Sequence, residues 1–324
     1  MLGFLFGILS SASFGLSVTT TRRGVLTGTI VQGLYMSVVL GVPLFALSAT
    51  IFGQLPKGLN IPFNEYLLLA VAGILHFVGG RYCNYRALRA IGATRLSTIS
   101  SIQLPYTVAT AIIFLGEQLN LLMGLGILLI FIGPAIIYER ANKSSSDNPK
   151  SVNQIENAPN LTNISQSGMK DSQMIFFRQA EGYIFGTLGA LAYGTSPLFI
   201  RTALDSNGLA IFGGLVSYSA AAIMMLLLLS VPANRNTVRN TSKPTFLWFS
   251  ASTITVFFAQ LFRFVALSIS PVTIVATLQR THVLFVLLFS FLINRQLESF
   301  SPKILAGILL SVTGAILLGL GKFY

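Results

Sequence analysis

The chain carries ten separate apolar runs, each of a length to cross a bilayer as a helix: 2–18, 30–52, 65–85, 96–115, 119–138, 182–200, 209–231, 245–267, 272–293 and 304–320. A helix needs about 20 apolar residues to cross a hydrocarbon core of about 30 Å, so the pattern predicts an all-α integral membrane protein with ten transmembrane helices. Charged residues make up 9% of the chain and hydrophobic ones 53%, against roughly 25% charged in a soluble domain. A soluble globule is excluded. The first run lacks a charged leading segment and is as long as the others, so it reads as a retained span and not as a cleaved signal peptide.

The formal charge of +12 would point to nucleic acid in a soluble protein. Here the Lys and Arg lie in the connections, without the interleaved solvent-facing aromatics of a nucleic-acid surface. In that setting they orient the chain and meet anionic headgroups, so membrane lipids are expected partners and nucleic acid is not. The lone Cys83 cannot form an internal disulfide.

One connection is long. Residues 139–179 are rich in Asn, Ser, Lys and Asp and poor in bulky apolar residues, a composition that predicts a disordered linker. It separates two regions of five spans, 1–138 and 180–324. These regions repeat each other. Gly3-Phe4-Leu5-Phe6-Gly7 aligns with Gly182-Tyr183-Ile184-Phe185-Gly186 at a shift of 179, and the register continues through Phe14/Tyr193, Gly15/Gly194, Ser17/Ser196 and Arg22/Arg201. The same shift pairs Tyr85-Arg86-Ala87-Leu88 with Phe264-Val265-Ala266-Leu267, and a two-residue slip pairs Glu117 with Glu298, Gly126 with Gly307 and Gly133 with Gly314. Five is odd, so the second region enters the membrane in the opposite sense from the first. Two inverted five-helix repeats are the organisation of many secondary transporters, with a site between the halves that opens to each side in turn.

Of 21 Lys and Arg, three lie within spans (Arg81, Arg263, Arg280) and three on one face (Lys57, Arg201, Lys322), which leaves fifteen on the other. By the positive-inside rule both termini are then outside.

The stretch with Tyr85-Arg86-Ala87-Leu88, Gly92-Ala93, Pro105, Leu115-Gly116-Glu117-Gln118-Leu119, Gly126 and Gly133 resembles the EamA-like repeat of the drug/metabolite transporter superfamily. The second half repeats it more loosely, with Leu284 where Pro105 stands and His282 two residues earlier. The resemblance implies ten helices in two inverted halves, a central cavity, and export, import or exchange of small metabolites. It also implies both termini in the cytoplasm, opposite to the basic-residue count, and the plasma (inner) membrane as the location. A homodimer is compatible with this.

Polar groups inside hydrocarbon are costly and mark pathways. All nine Asp and Glu lie at span ends or in loops, so the candidate binding residues are Arg280, Arg263, Gln260, Gln279, His282, Gln103, His76 and Arg81. The repeat pairs Gln103 with His282 and Arg81 with Gln260, and helical spacing puts Ser100, Gln103, Thr107 and Thr110 on one stripe. Each has a plainer role open to it: His76 as an interhelical hydrogen-bonding residue, Arg81 snorkelling to headgroups, and the small-residue stripes as close helix contacts. Arg280 sits near the middle of the ninth span, too deep to snorkel easily. Arginine without a buried acid favours a carboxylate or phosphate solute over a cationic one. With two His, one Cys and no carboxylate within a span, no metal site, cofactor or catalytic constellation is expected. A transporter of small solutes is the leading reading, a non-transporting scaffold or channel the alternative, and an intramembrane enzyme the weakest.

Overall fold

A backbone surrounded by hydrocarbon must satisfy its own hydrogen bonds, which leaves helices as the natural state of apolar runs this long. In the computed structural model the described residues are 2–100, 102–130, 132, 168–205, 208–230, 232–293 and 302–321; they are helical with short turns, and none forms a strand. In the first region α1 (Leu2–Thr27), α2 (Ile30–Val39), α3 (Gly41–Ile51), α4 (Gln54–Gly58) and α5 (Phe63–Gly73) lead into a π-helical segment, Ile74–Gly80. Then come α6 (Arg81–Ser100), α7 (Gln103–Leu115) and α8 (Leu121–Ile130). The second region holds α9 (Gly168–Leu204), α10 (Ala210–Leu228), α11 (Pro232–Arg239), α12 (Lys243–Ile269), α13 (Val272–Arg280), α14 (His282–Ile293) and α15 (Pro302–Gly321).

Among the described residues, six stretches are long and apolar enough to cross a membrane: Leu2–Thr21, Val31–Ile51, Phe63–Asn84, Ala180–Leu204, Ala210–Leu228 and Lys243–Ile269. Shorter apolar helices cover Gln103–Leu115, Leu121–Ile130 and Val272–Val286. The outer surface suits lipid, since Leu121 is 82% and Phe63 80% exposed. Much of the polar stretch at 139–179 lies outside the described residues, as do Gly133 and Glu298, but from Gly168 onward it is helical and continuous with α9.

The structure departs from the sequence reading around the third and fourth spans. No turn separates them at 86–95; the chain stays helical from Phe63 through the π segment to Ser100. The equivalent point in the second half is broken because Pro271 follows Ser270 there and ends α12, whereas Gly92 at the matching position keeps its N–H and lets the helix run on. The ninth span also breaks, without a proline. The hydroxyl of Thr281 donates to Leu278 O (2.7 Å), its N–H to the same carbonyl (3.0 Å), and the His282 ring bonds Gln279 O (2.7 Å). Such local bonds replace the helical ladder and tighten the chain into a turn. This turn is 179 residues from the one at Ile102, between α6 and α7.

Packing recurs at the same shift. The most extensive helix pair among the described residues is α1 on α12; under the shift α1 becomes α9, and α12 becomes α5, the π segment and the start of α6, all of which pack on α9. A Cβ added to Gly3 would strike Ser270, and one added to Gly182 would strike Ile91; Gly15 faces Phe285 and Gly194 faces Tyr106. Each pair maps onto the other. Gly126 on α8 and Gly314 on α15 meet backbone to backbone, where any side chain would hold the helices apart. Between α3, α10, α12 and the π segment an aromatic knot fills the core, with Phe45 centred 4.9 Å from both Tyr218 and Phe257, and Phe77 4.3 Å from Tyr218.

Helix ends are closed by distant side chains. Gln54 Oε1 accepts from Ile211 N and Phe212 N at the start of α10, and the Glu117 carboxylate accepts from Val272 N and Thr273 N at the start of α13. Arg201 donates to Leu267 O and Ser268 O at the end of α12. An acid at an N-terminus and a base at a C-terminus also match the helix dipole.

Candidate functional site

The π segment is the irregular part of an otherwise regular helix, and such segments concentrate at functional sites. It carries His76 toward α9 and α12. His76 Nδ1 lies 3.0 Å from Ser196 Oγ, and its Nε2 3.4 Å from Gln260 Nε2. Arg263, one helical turn from Gln260, places Nη1 3.3 Å from the His76 ring nitrogens and 3.3 Å from Gln260 Oε1, while Nη2 donates to Ser196 Oγ at 3.0 Å. A guanidinium only donates, so the imidazole nitrogen facing it accepts; this arrangement fits a neutral ring. Arg263, Gln260 and Ser196 are almost wholly buried. Pro197 stands inside α9 directly after Ser196, where its missing N–H loosens the helix beside the cluster.

A second group forms where the two turns face each other. Arg280, the last residue of α13, donates through Nη2 to Gln103 Oε1 (3.1 Å) and to the carbonyl of Ser100 (3.3 Å). It therefore joins the broken ninth span to the α6–α7 turn. Gln279 turns instead toward α1, with Nε2 3.5 Å from Ser10 Oγ, and Ser10 donates to Ala259 O at 2.8 Å beside Gln260. Ser10 thus links the neighbours of the two groups, as does Thr107, whose hydroxyl donates to Gln103 O and to Gly194 O beside Ser196.

The candidate residues divide accordingly. His76, Gln260 and Arg263 meet; Arg280 and Gln103 meet; His282 serves its own turn. Arg81 reaches Ser37 Oγ at 2.8 Å and lies 5.4 Å from the centre of the Phe77 ring. Sequence reasoning missed Ser196 and Ser37. Ser196 was visible only as a member of the repeat, although a Ser-Pro pair within an apolar span is a signal of a distorted, polar point in a helix.

No carboxylate touches Arg263 or Arg280 among the described residues. Ion pairs there include Arg86–Glu181, between α6 and α9, and Arg201–Asp205 at the end of α9. No group of three or more His, Cys, Asp or Glu among the described residues is placed to hold a metal ion.

These features define a class: a helical integral membrane protein with a basic, acid-free polar core enclosed by helices from both regions. The chain belongs to the EamA-like transporter family, whose profile matches residues 1–139 and 180–320. Over 154 residues it is 27% identical to an uncharacterized transporter of Clostridium kluyveri, an alignment that covers 47% of this chain and 49% of the relative, so the chain spans about half of that relative's length. Over 135 residues it is 28% identical to an uncharacterized transporter in the cobO 3'region of a Sinorhizobium species, covering 41% of this chain and 93% of that one. A solved structure described as the crystal structure of a protein superposes with a TM-score of 0.66 at 14% identity, covering 98% of this chain and 96% of the other. That likeness concerns the fold alone.

Proposed function

We propose that the protein is a secondary transporter of small organic metabolites, with residues 1–138 and 180–324 as two inverted five-helix halves that rock about a shared polar core. The carrying observation is the meeting of the two helix turns through Arg280, Gln103 and the Ser100 carbonyl. Broken helices that face each other across a repeat boundary expose backbone and side-chain polar groups where a solute binds, and a contact between them is one that a solute displaces. The contacts that recur at a shift of 179 favour the inverted arrangement. Among the described residues Arg280 has no acidic partner, so its fork suits the carboxylate of an anionic or zwitterionic solute, with Gln103 at hand for hydrogen bonding. The inner or plasma membrane is the location that suits this role.

Reconstituted vesicles test this. Flux of a carboxylate-bearing solute from a panel of anionic, zwitterionic and cationic metabolites is expected to saturate, and Arg280→Gln to lower it about tenfold or more, the cost of one charge-assisted hydrogen bond or a pair of them. Flux that rises linearly with solute would support a channel. Preference for cations, or an Arg280→Gln flux equal to the parent's, would overturn the assignment of the site.

A further inference from the structure

The start of α12 has two different faces. Thr245, Phe249 and Ser252 are buried, and a Cβ added to Gly24 or Gly28, at and just past the end of α1, would strike Phe249 or Thr245. That face is packed. Lys243, Leu247 and Ala251, spaced one turn apart, share the other side, and with Pro244 and Trp248 they line a groove on the outside of the bundle. Lys243, Pro244, Leu247 and Trp248 are all exposed. The span Lys243–Ile269 begins at the lysine, so the groove starts at the membrane boundary and runs two turns, about 12 Å, along the hydrocarbon. Its lining is apolar apart from Lys243.

The chain just before the groove is basic. Helix α11 is fixed by Val238, which packs on the aromatic core, and by Gln32 of α2, whose Nε2 donates to Thr237 O at 2.7 Å. Arg235 and Arg239, one turn apart on α11, are left exposed. Arg239 precedes Lys243 by four residues, a stretch that spans at most about 14 Å. No Asp or Glu occurs before Glu65 or between Asp205 and Glu298, so α1, α2, α11 and α12, which pack together at this end, contribute no acid to balance these cations.

We infer that this end of the molecule is a binding site for an anionic phospholipid, its headgroup phosphate held by Arg235, Arg239 and Lys243 and an acyl chain lying in the groove of Leu247, Trp248 and Ala251. Cations above an apolar groove match a molecule with a charged head and a hydrocarbon tail. A soluble phosphate would meet the cations and leave the groove unused, and a zwitterionic lipid would fill the groove without balancing three positive charges. The indole of Trp248 suits the boundary, where one side of it meets hydrocarbon and its N–H meets headgroups.

Trp248 is the one tryptophan of the chain, so its fluorescence reads this groove alone. The full-length protein is placed in mixed vesicles of phosphatidylcholine and phosphatidylglycerol, with bromine on the acyl chains of one lipid or of the other as the quencher. Brominated phosphatidylglycerol is expected to quench Trp248 beyond its share of the bilayer, and brominated phosphatidylcholine below its share. Arg239→Gln and Lys243→Gln are each expected to lower that preference about fivefold, the worth of one Lys or Arg at an anionic surface. Lys57→Gln, an exposed lysine of α4, and Arg280→Gln are expected to leave it unchanged. A reading that needs no variant is salt: sodium chloride is expected to weaken the preference of the unaltered protein by screening, and glycerol phosphate at equal ionic strength to do no more. Quenching in proportion to bilayer share for both lipids would overturn the proposal, as would a preference untouched by Arg239→Gln and Lys243→Gln. A loss in Lys57→Gln equal to that in Lys243→Gln would overturn it by showing only a general attraction of a basic protein, and competition by glycerol phosphate beyond the salt effect would assign the cations to a soluble phosphate instead.

Discussion

At the scale of single residues, side chains in this protein act far from their own helix. Glu117 follows α7 in the chain yet holds the first two amides of α13, and those amides have no helical partner of their own. Glu117→Ala is therefore expected to destabilise the protein by about 1 kcal/mol, as loss of a helix cap does, and Glu117→Gln by less, because an amide oxygen still accepts. Melting in detergent or nanodiscs reads this; equal stability of the Ala variant and the parent would contradict the capping role. The sequence showed Glu117 at a turn, but which helix start it serves depends on a residue 155 positions away. The same holds for the site. His76, Gln260 and Arg263 were each legible as polar residues too costly to face lipid, while their meeting at Ser196 was not, since an isolated serine in a helix bonds its own backbone as readily as a neighbour.

At the scale of elements, periodicity and repeat carried most of the architecture, and the breaks escaped it. The shift of 179 identified Gly3, Gly15, Gly182 and Gly194 as equivalent, and their contacts are equivalent. The turn at Thr281 was hidden because it is made by a hydroxyl and an imidazole in place of a proline; the helical stretch 86–95 was hidden because charged residues read as a loop although nothing in them stops a helix. Helix α8 offers a test of the close contacts. A Cβ on Gly126 would lie 2.7 Å from Leu318 N and 2.8 Å from Gly314 O, both backbone atoms that cannot yield, whereas one on Gly124 meets nothing within 4 Å. Gly126→Ala is expected to cost about 1–3 kcal/mol by overpacking, and Gly124→Ala to be neutral or slightly stabilising through helix propensity. Equal melting temperatures for the two variants would show that α8 and α15 do not touch there.

At the scale of the whole molecule, the proposed two halves of five spans would place the chain between them on one face of the membrane and residues 1 and 324 on the other. Transport by alternating access as proposed needs that inversion, because an internal dyad is what lets one polar core open to either side. The basic-residue count puts residues 139–179 inside the cell, and the family resemblance puts them outside; the inversion itself requires only that they lie opposite Tyr324. The direct measurement is therefore a pair of topology reporters in living cells, one inserted between residues 139 and 167 and one fused after Tyr324. The account predicts that the two reporters lie on opposite faces of the membrane. Both on the same face would mean an even number of spans after the insertion and would contradict the inverted five-helix halves.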